Sequence, residues 1–209
     1  MTASAPRIAP GGRSEIGLVN DVISRALGAA AGGGPPHVFT TLGRHRSLFR
    51  RWLVFASGLM PGGRLPRIDS ELVILRVARN CASDYERQQH ERLGRRAGLT
   101  SEQIAAVREP APAAGLSERQ RLLLRVADEL HETRDLSDEL WVRLRGELSE
   151  AEAIELLLLA GHYEMLATAL TALRVQPDPP AARPPSRIAL AAQRLAERTS
   201  RRAGQANGT

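Results

Sequence analysis

Residues 71–90, ELVILRVARNCASDYERQQH, read as an apolar helix, a break at Asn80–Ser83 and a second helix. Projected at 100° per residue, the first helix places Glu71 among Ile74, Leu75 and Ala78, with Arg76, Arg79 and Asn80 roughly opposite. In the second, Glu86, His90, Leu93 and Ala97 share one stripe at i, i+4, i+7 and i+11. The stretch is therefore a helical hairpin with Glu71, Glu86 and His90 turned toward the core. Burying charge without a partner costs several kcal/mol, so groups placed this way pair with each other, bind a ligand or move protons.

The rest of the chain is punctuated in the same helical manner. S/T-x-x-E/Q signals stand at Ser83–Glu86, Thr100–Gln103, Ser117–Gln120 and Ser149–Glu152. In each, the hydroxyl is expected to cap a free backbone N–H while the acid or amide reaches back. Gly32–Pro36, Pro61–Pro66 and Pro110–Gly115 read as breaks. About eight helices are expected, near 16–28, 39–58, 67–80, 84–97, 101–108, 118–132, 138–147 and 150–175. No segment alternates with period two between turn residues, so the fold class is all-α.

The 209 residues are 43% hydrophobic, enough for one domain with a sizeable core. Organisation follows as a flexible segment over 1–14, an all-α domain over 15–175, and a Pro/Arg-rich, partly disordered tail over 176–209. All 29 basic residues are Arg, and the net charge is +6. The tail carries +4 of it and leaves a nearly neutral body, which argues against a nucleic-acid partner. Cys81 is the only cysteine, so an intrachain disulfide is excluded and a reducing interior is expected. The longest apolar run, Leu156–Gly161, falls far short of the roughly 20 residues that span a bilayer. The N-terminus lacks the apolar core of a signal peptide. These features predict a cytoplasmic protein with no membrane contact.

The lead-in LPRIDSELVILRVARN, the order S-x-Y-E-x-x-x-H, the following RRAGLTSEQIAAV and the close GHYEMLATALTALRV resemble the carboxymuconolactone decarboxylase and alkylhydroperoxidase D-like superfamily over roughly residues 37–175. The resemblance implies an all-α bundle around a central hairpin. It also implies a homo-oligomer, trimeric or hexameric, with a buried active site near subunit contacts. The redox branch of that superfamily carries Glu, then Cys-x-x-Cys, then His. Matching its Glu to Glu71 and its His to His90 puts the cysteine positions at Ser83 and Glu86, with Tyr85 between them. A dithiol peroxidase needs an attacking thiolate and a resolving thiol, and neither Ser83 nor Glu86 supplies one.

What remains suits cofactor-free acid/base chemistry on a small organic acid or lactone. An imidazole, with an unperturbed pKa of about 6.5, lets His90 exchange protons near neutrality. Glu86, one turn earlier, supports the imidazolium, and Glu71, its pKa raised by burial, is the partner acid or base. Tyr85 offers a phenol to a carboxylate or enolate oxygen. Ser83 reads primarily as the helix cap. His162 is a pocket candidate beside Tyr163–Glu164, a pair that echoes Tyr85–Glu86. Arg76 and Arg79 project to the polar side, where surface pairing is expected.

Two other readings stay open. Cys81 sits just before a helix start, where the dipole lowers a thiol pKa, and could serve a one-cysteine peroxidase. A non-catalytic oligomeric binding protein would instead lock Glu71, Glu86 and His90 together with no adjoining cavity. Glu71, Glu86 and His90 have permissive metal-ligand spacing, but no Cys/His cluster is visible along the chain, and neither metal nor cofactor is expected.

Overall fold

A computed structural model describes residues 5–109 and 115–179. Ten helices are described: α1 Arg13–Ile16, α2 Leu18–Ala30, α3 His37–Leu42, α4 Arg46–Leu59, α5 Arg67–Asn80, α6 Asp84–Ala97, α7 Ser101–Ala106, α8 Glu118–Thr133, α9 Asp138–Glu147 and α10 Glu150–Leu173. Among the described residues there is no strand. The chain divides into two compact units. One comprises the residues up to Gly62 with those from Leu170 onward, and the other runs from Gly63 to Ala169. The boundary at Gly62 falls within the Pro61–Pro66 break, whereas the one at Leu170 lies inside a continuous helix.

The helix expected over 39–58 is two helices. Gly43 closes α3, and His45 opens α4 by accepting a hydrogen bond from the Leu48 amide. A β-carbon at Gly43 would lie 2.6 Å from the Phe39 carbonyl oxygen, so the chain can reverse this tightly only with glycine. Phe39, Phe49 and Trp52 then stack at centroid distances near 6 Å and form the aromatic heart of this unit.

Within the stretch 1–14 expected to be flexible, several residues carry fixed hydrogen bonds. The Arg7 amide donates to the Leu173 carbonyl, and the Gly11 amide to Thr40. Beyond α10, the Asp178 carboxylate accepts from the His37 amide at 2.7 Å and so pins the first residues of the expected tail. From residue 180 the tail lies outside the described residues, as does most of the Pro110–Gly115 break.

In the second unit α5 is the central element, packed against α6 and α8. Every residue from Asp69 to Ala78 is buried, which explains the run of Leu, Val and Ile without a clean polar face. Leu72 and Leu75 meet Leu99, Ile104, Val107 and Leu124 in one cluster. Because α5 is enclosed on all sides, Arg76 is buried and does not pair at the surface as expected. Its guanidinium grips Asp128 through two 2.6 Å bonds and donates to the carbonyls of Val107 and Glu109. Arg79 is exposed and donates to the Arg108 carbonyl. The helix α10 has the length and hydropathy of a membrane span, yet its Leu156, Leu159 and Ala160 are core residues. Its Glu155 carboxylate accepts from the amides of Arg64 and Leu65.

Three of the four expected capping boxes form. Thr100–Gln103 and Ser117–Gln120 show both reciprocal bonds, and Ser149–Glu152 does too. Replacing Ser117 by alanine should cost about 1 kcal/mol of unfolding free energy, measurable by urea denaturation. The fourth box, Ser83–Glu86, is absent. Ser83 is the N-cap residue of α6, but its side chain makes no cap bond.

Candidate active site

The missing box has a local cause. At the third position of α6 a carboxylate normally reaches back to the cap, but here that position faces α5 and Glu86 is carried inward, leaving it 2% exposed. The buried face of α6 is Tyr85, Glu86, His90 and Gly94. Leu93 and Ala97, expected on this stripe, lie half-buried at its edge.

Opposite Glu86 and His90, α5 supplies two charged residues one turn apart. Arg67 donates to Glu71 Oε1 from Nε at 2.8 Å and from Nη2 at 2.6 Å. The other carboxylate oxygen, Oε2, lies 2.7 Å from His90 Nδ1. Burial pushes the Glu71 carboxyl up, but His90 and then Arg67 outweigh it, and the group lies below its ordinary range. This corrects the expectation of a raised value: the desolvation penalty is real, but the interactions with His90 and Arg67 overcome it. An ionised carboxylate only accepts, so the Nδ1 nitrogen carries the imidazole proton and Nε2 is left to take one. The arrangement is the carboxylate–imidazole pair of acid/base sites, in which the acid fixes the tautomer.

Glu86 has the opposite character. Burial raises its carboxyl from 4.5 to about 8, with the Ser83 hydroxyl opposing the shift in part. Neither carboxylate oxygen has a hydrogen bond of normal geometry among the described residues. Near neutral pH this site thus holds one ionised and one largely protonated carboxyl.

The aromatic partner is not the one expected. Tyr85 is buried, and its hydroxyl accepts a long 3.5 Å bond from Gln89 on its own helix. The ring that meets His90 is Tyr163 of α10, edge-on at 90° with centroids 4.9 Å apart. Burial, then the charges of Glu71 and Glu86, hold the Tyr163 phenol far above its usual range, so it stays protonated and able to donate. The repeated Tyr–Glu pair was the only signal in the sequence that pointed to it. His162, the preceding residue, is buried and its imidazole is pushed by burial toward the neutral form.

Cys81 stands apart from this set. It is the C-cap of α5, the negative end of that helix, so the dipole lowering expected from α6 does not prevail. Burial, then Glu164 and Glu86, push its thiol up to about 11 against the opposing Arg134. At neutral pH it is a thiol and not the thiolate a peroxidase needs. A cleft of about 380 Å³ on the same unit, floored by Leu75, Ala78 and Val107 and rimmed by Arg87 and Arg108, takes in Ser83. Glu71, Tyr85, Glu86 and His90 are not part of its wall.

Residues 46–129 match the carboxymuconolactone decarboxylase family model. That stretch is less than half of the chain, and over it the sequence is similar to the carboxymuconolactone decarboxylase family. Solved structures share its fold. An uncharacterised peroxidase-related protein from Ralstonia eutropha JMP134, with an alkylhydroperoxidase core, superposes with a TM-score of 0.76 at 16% identity, covering 84% of this chain and 93% of the other. One from Silicibacter sp. TM1040 gives 0.72 at 15% identity, covering 87% and 92%. The debrominase Bmp8, as a cysteine-to-alanine variant in complex with 2,3,4-tribromopyrrole, gives 0.72 at 16% identity, covering 95% and 99%. At these identities the likeness concerns the fold. No curated protein matches the sequence significantly. Set against the redox pattern that the sequence resembles, this chain has the Glu71–His90 pair and no Cys-x-x-Cys.

Proposed function

We propose that this protein is a cofactor-independent acid/base enzyme, a decarboxylase, isomerase or lactone-processing enzyme acting on a small organic acid. One observation carries the reading: two buried carboxyls driven in opposite directions beside one imidazole. Environments that separate paired carboxyls in this way commonly mark acid and base roles.

In the proposed reaction Glu71 stays ionised and holds the His90 tautomer, with Arg67 fixing Glu71 in turn. His90 Nε2 takes a proton from an activated carbon, and the electron pair moves onto the adjacent carbonyl as an enolate. The neutral Glu86 carboxyl, with a pKa of about 8, returns a proton to carbon, Tyr163 donates a hydrogen bond to the enolate oxygen, and exchange with solvent then removes the proton from His90 and restores the one on Glu86. In a decarboxylation the bond to the leaving carboxylate breaks in place of the C–H bond. Carbon dioxide departs, Glu86 protonates the resulting carbanion, and solvent reprotonates Glu86. The same reading includes a soluble, cytoplasmic homo-oligomer, trimeric or hexameric, and the exposed Ile154, Leu158 and Met165 along α10 are apolar surface available for subunit contact.

The test is solvent deuterium incorporation into a panel of activated carboxylic acids and lactones, followed by NMR together with carbon dioxide release. Wild type should exchange or decarboxylate at least one of them. Glu86→Gln and His90→Gln should each lose about 10²- to 10⁴-fold in kcat, the span of general acid–base catalysis. Peroxide consumption that requires Cys81 would overturn the proposal.

A further inference from the structure

Behind the break that joins α5 to α6, three side chains from distant parts of the chain converge. Cys81 ends α5, His131 lies in the last turn of α8, and Glu164 stands mid-way along α10. Their donor atoms all lie within 4.8 Å of one another, and all three residues are half-buried, which leaves them reachable from solution. His131 Nδ1 is 4.0 Å from Cys81 Sγ and 2.5 Å from Glu164 Oε1.

The geometry decides between two chemistries. In a thiol–imidazole–acid relay the imidazole turns one nitrogen to the nucleophile and the other to the acid. Here a single nitrogen, Nδ1, faces both sulfur and carboxylate, so no relay can run through the ring. A sulfur, a nitrogen and a carboxylate oxygen within 4.8 Å of one another is instead an arrangement of ligands about a cation. We propose that Cys81, His131 and Glu164 bind one divalent transition-metal ion, with zinc the best chemical match.

Sulfur, imidazole nitrogen and carboxylate oxygen are all ordinary zinc donors, and three protein ligands leave the open fourth position of a catalytic-type site. Zinc bond lengths of about 2.3 Å to sulfur and about 2.0 Å to nitrogen and oxygen place tetrahedral ligands roughly 3.3 to 3.6 Å apart. Nδ1 and Oε1 must therefore part by about 0.8 Å, while the sulfur closes by about 0.5 Å on the nitrogen and by up to about 1.3 Å on the carboxylate, movements within side-chain reach. Arg134 pairs with the other carboxylate oxygen, Oε2, and so orients Oε1 toward His131, as outer partners of metal ligands do. The ion takes the place of the Nδ1–Oε1 hydrogen bond and displaces the thiol proton on binding. This site is independent of the acid/base reading and shares none of its residues.

The full-length protein, stripped with chelator, is titrated with Co2+ as a spectroscopic stand-in and with Zn2+ by calorimetry. The expected result is one ion per chain, with a sulfur-to-cobalt charge-transfer band and the strong visible absorption of tetrahedral cobalt. Cys81→Ser should abolish the charge-transfer band, and His131→Ala and Glu164→Gln should each weaken zinc binding more than tenfold. Circular dichroism of each variant confirms that it is folded. If wild type gives no charge-transfer band, or if folded Cys81→Ser and His131→Ala bind zinc as tightly as wild type, the assignment is overturned. The wild-type spectrum alone decides the matter should a variant fail to fold.

Discussion

Glu71→Ala should cost about 3 to 5 kcal/mol of unfolding free energy, the penalty for removing one partner of a buried ion pair. Glu71 is fully buried at the centre of α5, and its two oxygens serve different partners, Arg67 and His90. Truncation leaves a guanidinium and an imidazole facing each other across a cavity. Both effects, the uncompensated charge and the lost packing, act in the same direction. Glu71→Gln keeps the volume and one acceptor oxygen, and should recover part of the loss but not the attraction for Arg67. Urea denaturation at neutral pH measures both variants. A cost below about 1 kcal/mol for the alanine variant, typical of exposed pairs, would mean that the Arg67–Glu71–His90 set is open to solvent.

Glu86 produces the second large effect, and its sign is opposite to that of a paired carboxylate. The folded state holds the Glu86 proton until about pH 8, whereas the group ordinarily releases it near 4.5. Between those values the folded chain binds more protons than the unfolded chain, so stability falls as pH rises. The penalty is absent below about 4.5 and complete above about 8. At about 1.4 kcal/mol per pKa unit, it amounts to about 5 kcal/mol. Glu86→Gln cannot ionise, so its stability should be nearly level across this window relative to wild type, and above pH 8 it should be the more stable protein. Chemical denaturation of both proteins at intervals from pH 4.5 to 9 gives the difference directly. Groups that titrate in the same range, such as His162, cancel in that difference. Parallel curves would show that Glu86 is ionised throughout and would remove the acid assigned to it. Glu71 works the other way: its lowered pKa contributes stability above its unfolded value that is lost as pH falls through the folded one.

Much of this was legible along the chain. Helices expected over 67–80, 84–97 and 138–147 have those bounds in the structure. Their starts and stops rest on local chemistry: Pro66 before α5, Ser83 before α6, Gly98 in a left-handed conformation after it, and Ser137 capping α9. The inward placement of Glu71, Glu86 and His90 was equally local, because helical periodicity alone assigns a face. The same reasoning failed where a face has no solvent side. Arg76 projects to the polar side of α5 in isolation, but α5 is enclosed, and the residue is buried against Asp128, 52 positions away. It failed again at Gly43–His45, where one tight turn splits a continuous apolar pattern.

The sequence by itself determined where the helices are, which carboxyls and imidazole turn inward, and that the redox cysteines are missing, since each depends on residues within a turn or two of one another. Tertiary structure alone decided what those groups became. Glu71 is ionised because α5 and α6 bring His90 to it from 19 positions away. Glu86 holds its proton toward neutrality because burial dominates its surroundings, opposed in part by the Ser83 hydroxyl. Tyr163 meets His90 because α10 supplies it. Cys81 gained His131 from 50 residues away, and His131 gained Glu164 from a further 33. Ionisation and ligation depend on distance and burial in space, and a linear chain carries no record of either until it has packed.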